Sequence, residues 1–335
     1  MAKIHQLLQG HQERIDYNAL IAKHPWIVQK NQQCILSPDS DGLLCGLFMS
    51  HMLNWQIKGF YDGKVMVLEN GISAAECVFL DMEVYRNHIK SVGHHMVLYN
   101  ANDIPENWVN FDNCIQANNT RDYDCLHTFR LKYPLATIHL LLGIISSKVK
   151  VEVPESAISP LLFTDGTYQN LFRYPENVLN WLNYLRADDP QNPIRTVFEN
   201  DNLLVFRLMQ AMDEFFRERD EISIPKQRGD RLRISNTDGS PCNIEQINRA
   251  YTINKDAHQR IEKFIELLSR LTQWPYDRAK WTWINWRLYR FTKSICSSLN
   301  TRKFDEIILQ HSLLSWAITA SKRIEYTIEG SDTID

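Results

Sequence analysis

The chain has 335 residues, of which 44% are hydrophobic and 23% charged, and its formal net charge at pH 7 is −3. This composition is typical of a folded globular protein and excludes a disordered chain. The slightly negative charge excludes nucleic-acid binding through overall charge, so any such contact needs a local basic patch. At roughly 150 residues per domain, the length predicts about two domains.

Neither the N-terminus nor any apolar run predicts export or membrane insertion. The longest near-apolar stretch, residues 135–145, contains His139 and is too short to cross a bilayer. The seven cysteines include no C-x-x-C pair, which argues against a disulfide framework or a zinc ribbon. We therefore expect a reduced, cytoplasmic protein with no membrane partner.

Short apolar runs alternate with helical patterns in the first part of the chain. The strands that this pattern predicts are residues 32–36, 64–68, 77–80 and 96–99. The predicted helices are residues 43–55, 83–91, 134–147 and 175–185. Alternation of this kind favours an α/β fold with a doubly wound, mainly parallel sheet.

The pattern changes after a polar break at residues 188–193. Beyond it, residues 197–217, 244–272 and 304–324 have helical periodicity. We therefore predict an α/β domain over residues 1–187 and a mostly α-helical C-terminal domain over residues 188–335.

Four short segments of the first domain carry acids or histidines beside apolar runs. They are Asp39-Ser40-Asp41-Gly42, Asp81, Gly93-His94-His95 and Asp165. Ligands bind beyond the carboxyl ends of strands in open α/β sheets, so we expect these side chains to meet at one edge. Carboxylates and imidazoles suit Mn²⁺ or Mg²⁺, and such an ion can activate water for attack on a phosphoester. Each segment alone also has a structural explanation, as a turn, a helix cap or a surface pair.

Taken in order, these segments resemble the motifs of the Asp-His-His (DHH) phosphoesterase superfamily. That superfamily includes RecJ-type exonucleases, nano-RNases, oligoribonucleotide and cyclic-dinucleotide phosphodiesterases, and family II pyrophosphatases. Residues 39–42 are similar to its D-x-D-G motif, Asp81 to its second motif, and residues 93–95 to D-H-H. Asp165-Gly166-Thr167-Tyr168 is similar to the fourth motif. The resemblance covers roughly residues 30 to 185, about half of the chain.

The resemblance implies a hydrolase that uses one or two Mn²⁺ or Mg²⁺ ions on nucleic-acid ends, oligonucleotides or nucleotides. One ion is implied to bind the set Asp41, Asp81, His94 and Asp165. Asp39 is implied to serve the other ion, with Asp81 shared. His95 is implied to contact the scissile phosphate or to assist protonation of the leaving group, beside His94.

The chain departs from the family pattern at several positions. Ile35 stands where many members have histidine, Gly93 replaces the acid of D-H-H, and Gly166-Thr167 reverses the usual order. The chain also has no Gly-Gly-Gly-His segment of the substrate-binding domain that usually follows. These departures support an alternative: a catalytically weakened DHH-like subunit that binds nucleic acid, or that assembles as a homo-oligomer or with a partner subunit.

The segment 278–303 is rich in basic residues interleaved with aromatic ones. Basic groups neutralise phosphates and aromatic rings stack on bases, a combination that suits single-stranded nucleic acid. The candidate contacts are Arg278, Lys280, Trp286, Arg287, Arg290 and Lys293. The alternative is a core helix with its aromatic rings inward and its arginines in solvent.

Overall fold

The computed structural model of the chain describes residues 4–199, 204–224, 231–310, 312–330 and 332–334. The strands are β1 (Gln33–Leu36), β2 (Gln56–Tyr61), β3 (Val65–Glu69), β4 (Cys77–Leu80), β5 (Lys90–Gly93), β6 (Cys114–Gln116), β7 (Ile244–Ile247), β8 (Ala250–Ile253), β9 (Trp286–Cys296), β10 (Leu313–Ala320) and β11 (Arg323–Glu329). The helices are α1 (Ile4–Leu8), α2 (Tyr17–Lys23), α3 (Ser40–Leu53), α4 (Thr137–Ser146), α5 (Ile158–Phe163), α6 (Thr167–Arg173), α7 (Pro175–Tyr184), α8 (Ile194–Phe198), α9 (Val205–Ile222), α10 (Lys255–Thr272) and α11 (Thr301–Ile308).

The sheet is mixed, with a parallel part formed by the first half of the chain. Its strands lie in the order β10-β11-β9-β3-β2-β1-β4-β5-β6. The pairs from β2 to β6 are parallel, whereas β3, β9, β11 and β10 join by antiparallel pairing. The mixed α/β fold that the sequence predicts is therefore confirmed at this coarser level.

Burial on both faces explains why the central strands are continuous apolar runs. Every residue of β4 is buried, and so are the last three residues of β1. Parallel strands covered on both faces have this composition. On one side, a large hydrophobic cluster joins the sheet to α3, α4 and α10, through fully buried side chains such as Phe48, Leu141 and Phe264.

Two elements predicted in the first half are wrong. Residues 83–91 form no helix, and residues 96–99 form no strand; the strand in this region is β5, which precedes the histidine pair. Strand β2 is not predicted by the sequence, because Lys58 and Gly59 interrupt its apolar pattern. The acid Asp165 follows helix α5 rather than a strand, since the apolar run 161–163 fits either structure.

The prediction of a mostly helical C-terminal part is wrong for three segments. Residues 244–253 form the hairpin β7–β8 before α10 begins, and residues 313–320 form β10 rather than a continuation of α11. Strand β10 contributes Leu314 to one hydrophobic cluster and Trp316 to another, so burial on two sides hides the strand alternation. The basic segment contains strand β9. The predicted helix over 197–217 partly lies outside the described residues, at 200–203; α9 begins at Val205.

Strand β9 pairs with β3, so one sheet runs across the predicted boundary between residues 187 and 188. The division into domains 1–187 and 188–335 stays a prediction. Within the described part of the chain, every helix is too short or too polar to span a membrane.

Candidate metal centre

The ends of three neighbouring parallel strands place most of the candidate residues. Asp39 follows β1 at the start of α3, Asp81 directly follows β4, and His94 directly follows β5. Strand β4 lies between β1 and β5, so their carboxyl ends open on the same edge of the sheet. The loop after α5 brings Asp165 to that edge, where His94 Nε2 lies 3.1 Å from Asp165 Oδ2.

Four of these side chains form a group that can hold a metal ion. Asp81, His94, His95 and Asp165 each offer one ligand atom, and these atoms all lie within 4.8 Å of one another. Two ligands that bind one ion at right angles, at roughly 2.1 Å each, lie roughly 3.0 Å apart. The separation between His94 Nε2 and Asp165 Oδ2 therefore suits two ligands of the same ion.

The two aspartates of this group have left-handed backbones, with φ of 63° at Asp81 and 50° at Asp165. Residues other than glycine rarely adopt this backbone conformation, although aspartate tolerates it better than most. Such positions concentrate at functional sites, where the surrounding structure compensates their cost. The orientation of both carboxylates thus depends on backbone conformations that are unfavourable in isolation.

Thr137, at the start of α4, connects Asp81 to His94 and is a residue that the sequence analysis missed. Its Oγ1 donates to Asp81 Oδ1 at 2.7 Å and lies 2.8 Å from His94 Nδ1. Because the hydroxyl proton goes to Asp81, the Thr137 oxygen accepts from Nδ1–H of His94. A neutral ring with its proton on Nδ1 can coordinate an ion through Nε2, which lies 3.1 Å from Asp165 Oδ2, within hydrogen-bonding distance. Burial and the adjacent His95 lower the pKa of His94, which favours the neutral ring that coordinates metals.

The other oxygen of Asp81 is the least satisfied atom of the site. Asp81 is 0% exposed, and its Oδ2 has no hydrogen-bond partner among the residues that the structure describes. Burial, followed by repulsion from Asp41 and Asp39, raises the pKa of Asp81 well above its usual range. A buried carboxylate oxygen without a donor is costly, and a cation at this point would remove both the desolvation and the repulsion. The donor set therefore fits a divalent cation.

Asp41 lies beside this group, and its carboxylate binds the backbone at the start of α4. Its two oxygens accept the backbone N–H groups of Thr137 at 2.6 Å and Ile138 at 3.0 Å, which anchors the N-terminus of α4. Its carboxyl group also interacts electrostatically with those of Asp81 and Asp165. Burial and the charge of Asp165 raise the pKa of Asp41 to about 8. Asp41 is outside the four-residue group that we identify as able to hold an ion.

Asp39 also lies outside that group. It caps α3 by accepting the backbone N–H of Gly42 at 3.3 Å, and its pKa is raised by burial and by Asp165. Gly42 is required by space, because a Cβ there would collide with the carbonyl oxygen of Ser37. Ile35, in the position where members of the DHH superfamily often have histidine, is fully buried in a hydrophobic cluster and offers no ligand.

Glu83 is a second functional residue that the sequence analysis missed, because it lies in a segment predicted as helix. Its carboxylate accepts the backbone N–H of His95 at 2.6 Å and lies 3.3 Å from His95 Nδ1. Burial raises the pKa of Glu83, but the hydrogen bond and charge of His95 outweigh it and hold that pKa at about 2. The same pair raises the pKa of His95 to about 9, against the effect of burial. At neutral pH the pair is therefore an ion pair.

Two cavities open onto the site, and His95 lines both. One, of about 460 Å³, is lined by Asp39, Glu83 and a polar segment that includes Arg231 and Arg233. That segment is tied to the site by the backbone N–H of Leu232, which donates to the Pro38 carbonyl at 2.8 Å. The other cavity, of about 540 Å³, is lined by His94 and Asp165 together with aromatic and basic side chains, including Phe129, Lys132, Tyr133 and Tyr174. An extended ligand can therefore contact both sides of the metal-binding group.

The candidate nucleic-acid contacts do not form one surface with exposed rings. Trp286 is 0% exposed, because the alternation of strand β9 turns it into the core. Arg278 pairs with Glu262 and Glu266, and Lys280 donates to the backbone carbonyl of Ser50.

The other basic side chains of this segment are divided between the two faces of β9. Arg287 and Arg290 are both exposed, but they lie three positions apart and point to opposite faces of the strand. Lys293 pairs with Glu325 and lines the cavity beside Asp39. The aromatic residues of this segment therefore serve mainly the core, as the alternative interpretation expected, but in a strand rather than a helix.

Comparison with protein-family models, with curated proteins and with solved structures found no match. The functional assignment therefore depends on the geometry of the site.

Proposed function

We propose that this protein is a divalent-metal-dependent phosphoesterase of the DHH type. Its substrates are the phosphodiester bonds of nucleic-acid ends, oligonucleotides or nucleotides, and its cofactor is one or two Mn²⁺ or Mg²⁺ ions. The observation that carries the proposal is the buried, unpartnered Oδ2 of Asp81 inside a group with Asp165 and two histidines.

Asp81, Asp165 and Nε2 of His94 are the residues that would hold the ion. When bound, the ion supplies an activated water and neutralises charge on the phosphate. Thr137 keeps His94 in the tautomer that exposes Nε2. The carboxylates around Asp81 repel one another, so the site should favour a cation over a neutral ligand.

His95 is the group that we assign to the substrate. Its Nδ1 faces Glu83, which leaves Nε2 for a ligand, and its side chain is 35% exposed where the two cavities meet. With a pKa of about 9, His95 is protonated at neutral pH. It can therefore donate to a phosphate oxygen and pass a proton to the leaving oxygen.

A second candidate is a DHH-like subunit without catalysis, which binds nucleic acid or assembles with a partner. Two observations favour it: both oxygens of Asp41 are used by backbone amides, and Arg287 and Arg290 are exposed on β9. The same experiment separates the two candidates.

The test is hydrolysis of 5′- and 3′-labelled single-stranded oligonucleotides and dinucleotides in Mn²⁺, with and without EDTA. Asp81→Asn is compared with Asp213→Asn, an exposed aspartate of α9 in an ion pair with Arg217. We expect chelator-sensitive cleavage that Asp81→Asn abolishes and Asp213→Asn retains. Absence of cleavage across the panel, with oligonucleotide binding retained, would support the non-catalytic subunit instead.

A further inference from the structure

Gly93 stands where the family resemblance places an acid, and the carboxylate of Glu83 occupies the space beside it. A Cβ at position 93 would lie 2.5 Å from Glu83 Cδ and 2.6 Å from Glu83 Oε2. Real Cβ atoms essentially never approach other atoms so closely. Gly93 does not have the left-handed backbone that would by itself favour glycine. A residue larger than glycine at position 93 would therefore displace the Glu83 carboxylate from its present place.

The two oxygens of Glu83 have separate partners. Oε1 accepts the backbone N–H groups of His95 at 2.6 Å and Met96 at 3.0 Å, while Oε2 faces His95 Nδ1 at 3.3 Å. The first oxygen fixes the backbone of the turn that contains His94 and His95. The second fixes the ring of His95, because Nδ1–H donates to it and Nε2 must then point away from Glu83.

We infer that Glu83 is a positioning residue that replaces, from the loop after β4, the acid missing at position 93. It acts through the His95 ring and the backbone of the His94–His95 turn. The inference rests on the proposed function only for its effect on catalysis. Gly93 and Glu83 form a matched pair, because a side chain at one position excludes the carboxylate from its present place.

The separate partners allow a substitution that removes only the ring contact. In Glu83→Gln, the amide oxygen can keep both backbone hydrogen bonds, while the NH₂ group replaces the acceptor that faces His95. An NH₂ donor cannot accept from Nδ1–H, so His95 must present an unprotonated Nδ1 to it. The matched control is Glu76→Gln, an exposed glutamate that accepts the backbone N–H of Ser73 far from the histidines.

The first measurement is long-range ¹H–¹⁵N NMR of the His95 ring in the full chain without metal. We expect protonated Nδ1 in the wild type and in Glu76→Gln, and unprotonated Nδ1 in Glu83→Gln. Titration calorimetry with Mn²⁺ alone follows. We expect Glu83→Gln to bind Mn²⁺ as the wild type does, because the turn that carries His94 is kept, and Glu83→Ala to bind it about 10-fold more weakly or worse. An unchanged ring in Glu83→Gln, or unchanged Mn²⁺ affinity in Glu83→Ala, would overturn the inference.

The second measurement is the thermal stability of Glu83→Ala, Gly93→Asp and the double variant. Gly93→Asp alone forces its side chain against Glu83 and should be the least stable of the three. The double variant should be more stable than Gly93→Asp and should recover Mn²⁺ affinity relative to Glu83→Ala, because a carboxylate again supports the turn. Additive losses in the double variant would overturn the matched-pair inference. These readouts need no enzyme activity, so failure of the proposed function is distinguishable from failure of this inference.

Discussion

Without metal, the charge of the site should make the protein less stable as the pH rises from about 6.5 to about 8. Asp41 has a pKa of about 8 in the folded protein, above the value of 3.8 for an unperturbed aspartate. The folded state therefore holds this proton more tightly, and its stabilising effect is complete below about pH 4 and lost as the pH rises towards 8. Between about pH 6.5 and about pH 8 the loss from Asp41 is on the order of 2 kcal/mol, at about 1.4 kcal/mol per pH unit.

His95 changes stability in the same direction over the whole of this range. Its pKa is raised from 6.5 to about 9, so its contribution is complete below about pH 6.5 and is lost between there and about pH 9. Glu83 does not oppose the trend, since its pKa of about 2 changes stability only below about pH 4.5. Burial lowers the pKa values of His94, His24 and His139, so these side chains oppose the trend below about pH 6.5 and leave it unopposed above that pH.

The assay is urea unfolding at several pH values between about 6.5 and about 8, once in EDTA and once in saturating Mn²⁺. In EDTA we expect the free energy of unfolding to fall across the range. In Mn²⁺ we expect the added stability to grow with pH, because metal binding displaces protons from the carboxylates. A flat or rising stability in EDTA would refute the reasoning that the carboxylates repel one another in the metal-free protein.

Three further predictions concern individual residues. Thr137→Val breaks the link between Asp81 and His94 and should weaken Mn²⁺ binding by about 10- to 100-fold in calorimetry, whereas Thr137→Ser should retain it. Trp286→Ala should destabilise the fold by about 3–5 kcal/mol in urea unfolding, while Arg287→Ala should change stability by less than about 0.5 kcal/mol; equal losses would contradict the placement of β9. The joint substitution of Arg231 and Arg233 by alanine should raise KM for an oligonucleotide and leave kcat unchanged, because both line the cavity beside the site. An unchanged KM would show that this cavity does not hold the substrate.

The parallel strands that build the site were predictable because they are continuous apolar runs between polar turns. The prediction for residues 77–80 matches β4, and that for residues 32–36 differs from β1 by one residue at its start. Asp81 was therefore placed correctly at a strand end. The strand before the histidine pair was missed, since Ser91-Val92-Gly93 carries little hydrophobic signal.

The supporting residues of the site depend on contacts that are distant in sequence. Thr137 reaches His94 across 43 positions and Asp81 across 56. Glu83 is recognisable only when the fold brings its carboxylate against Gly93. A sequence pattern indicates residues of the right chemistry at strand ends, but the hydrogen bonds that select a tautomer or fill a missing side chain arise from the tertiary fold.

The strands of the C-terminal half were unpredictable for a different reason. Strand β10 has consecutive buried residues, Leu313 to Trp316, and a shift in register lies within them. The hydrophobic residues of such a segment show neither the alternation of a half-buried strand nor the periodicity of an amphipathic helix. The antiparallel pairing of β9 with β3 then fixes these strands to the sheet.

The most direct test of the central claim is anomalous X-ray diffraction at the manganese edge from crystals of the full chain grown with Mn²⁺. We predict an anomalous peak at roughly 2.1 Å from Oδ2 of Asp81, with Asp165 and Nε2 of His94 also coordinated. A crystal with full density for these side chains and no manganese at Asp81 would contradict the proposed metal centre and, with it, the phosphoesterase function.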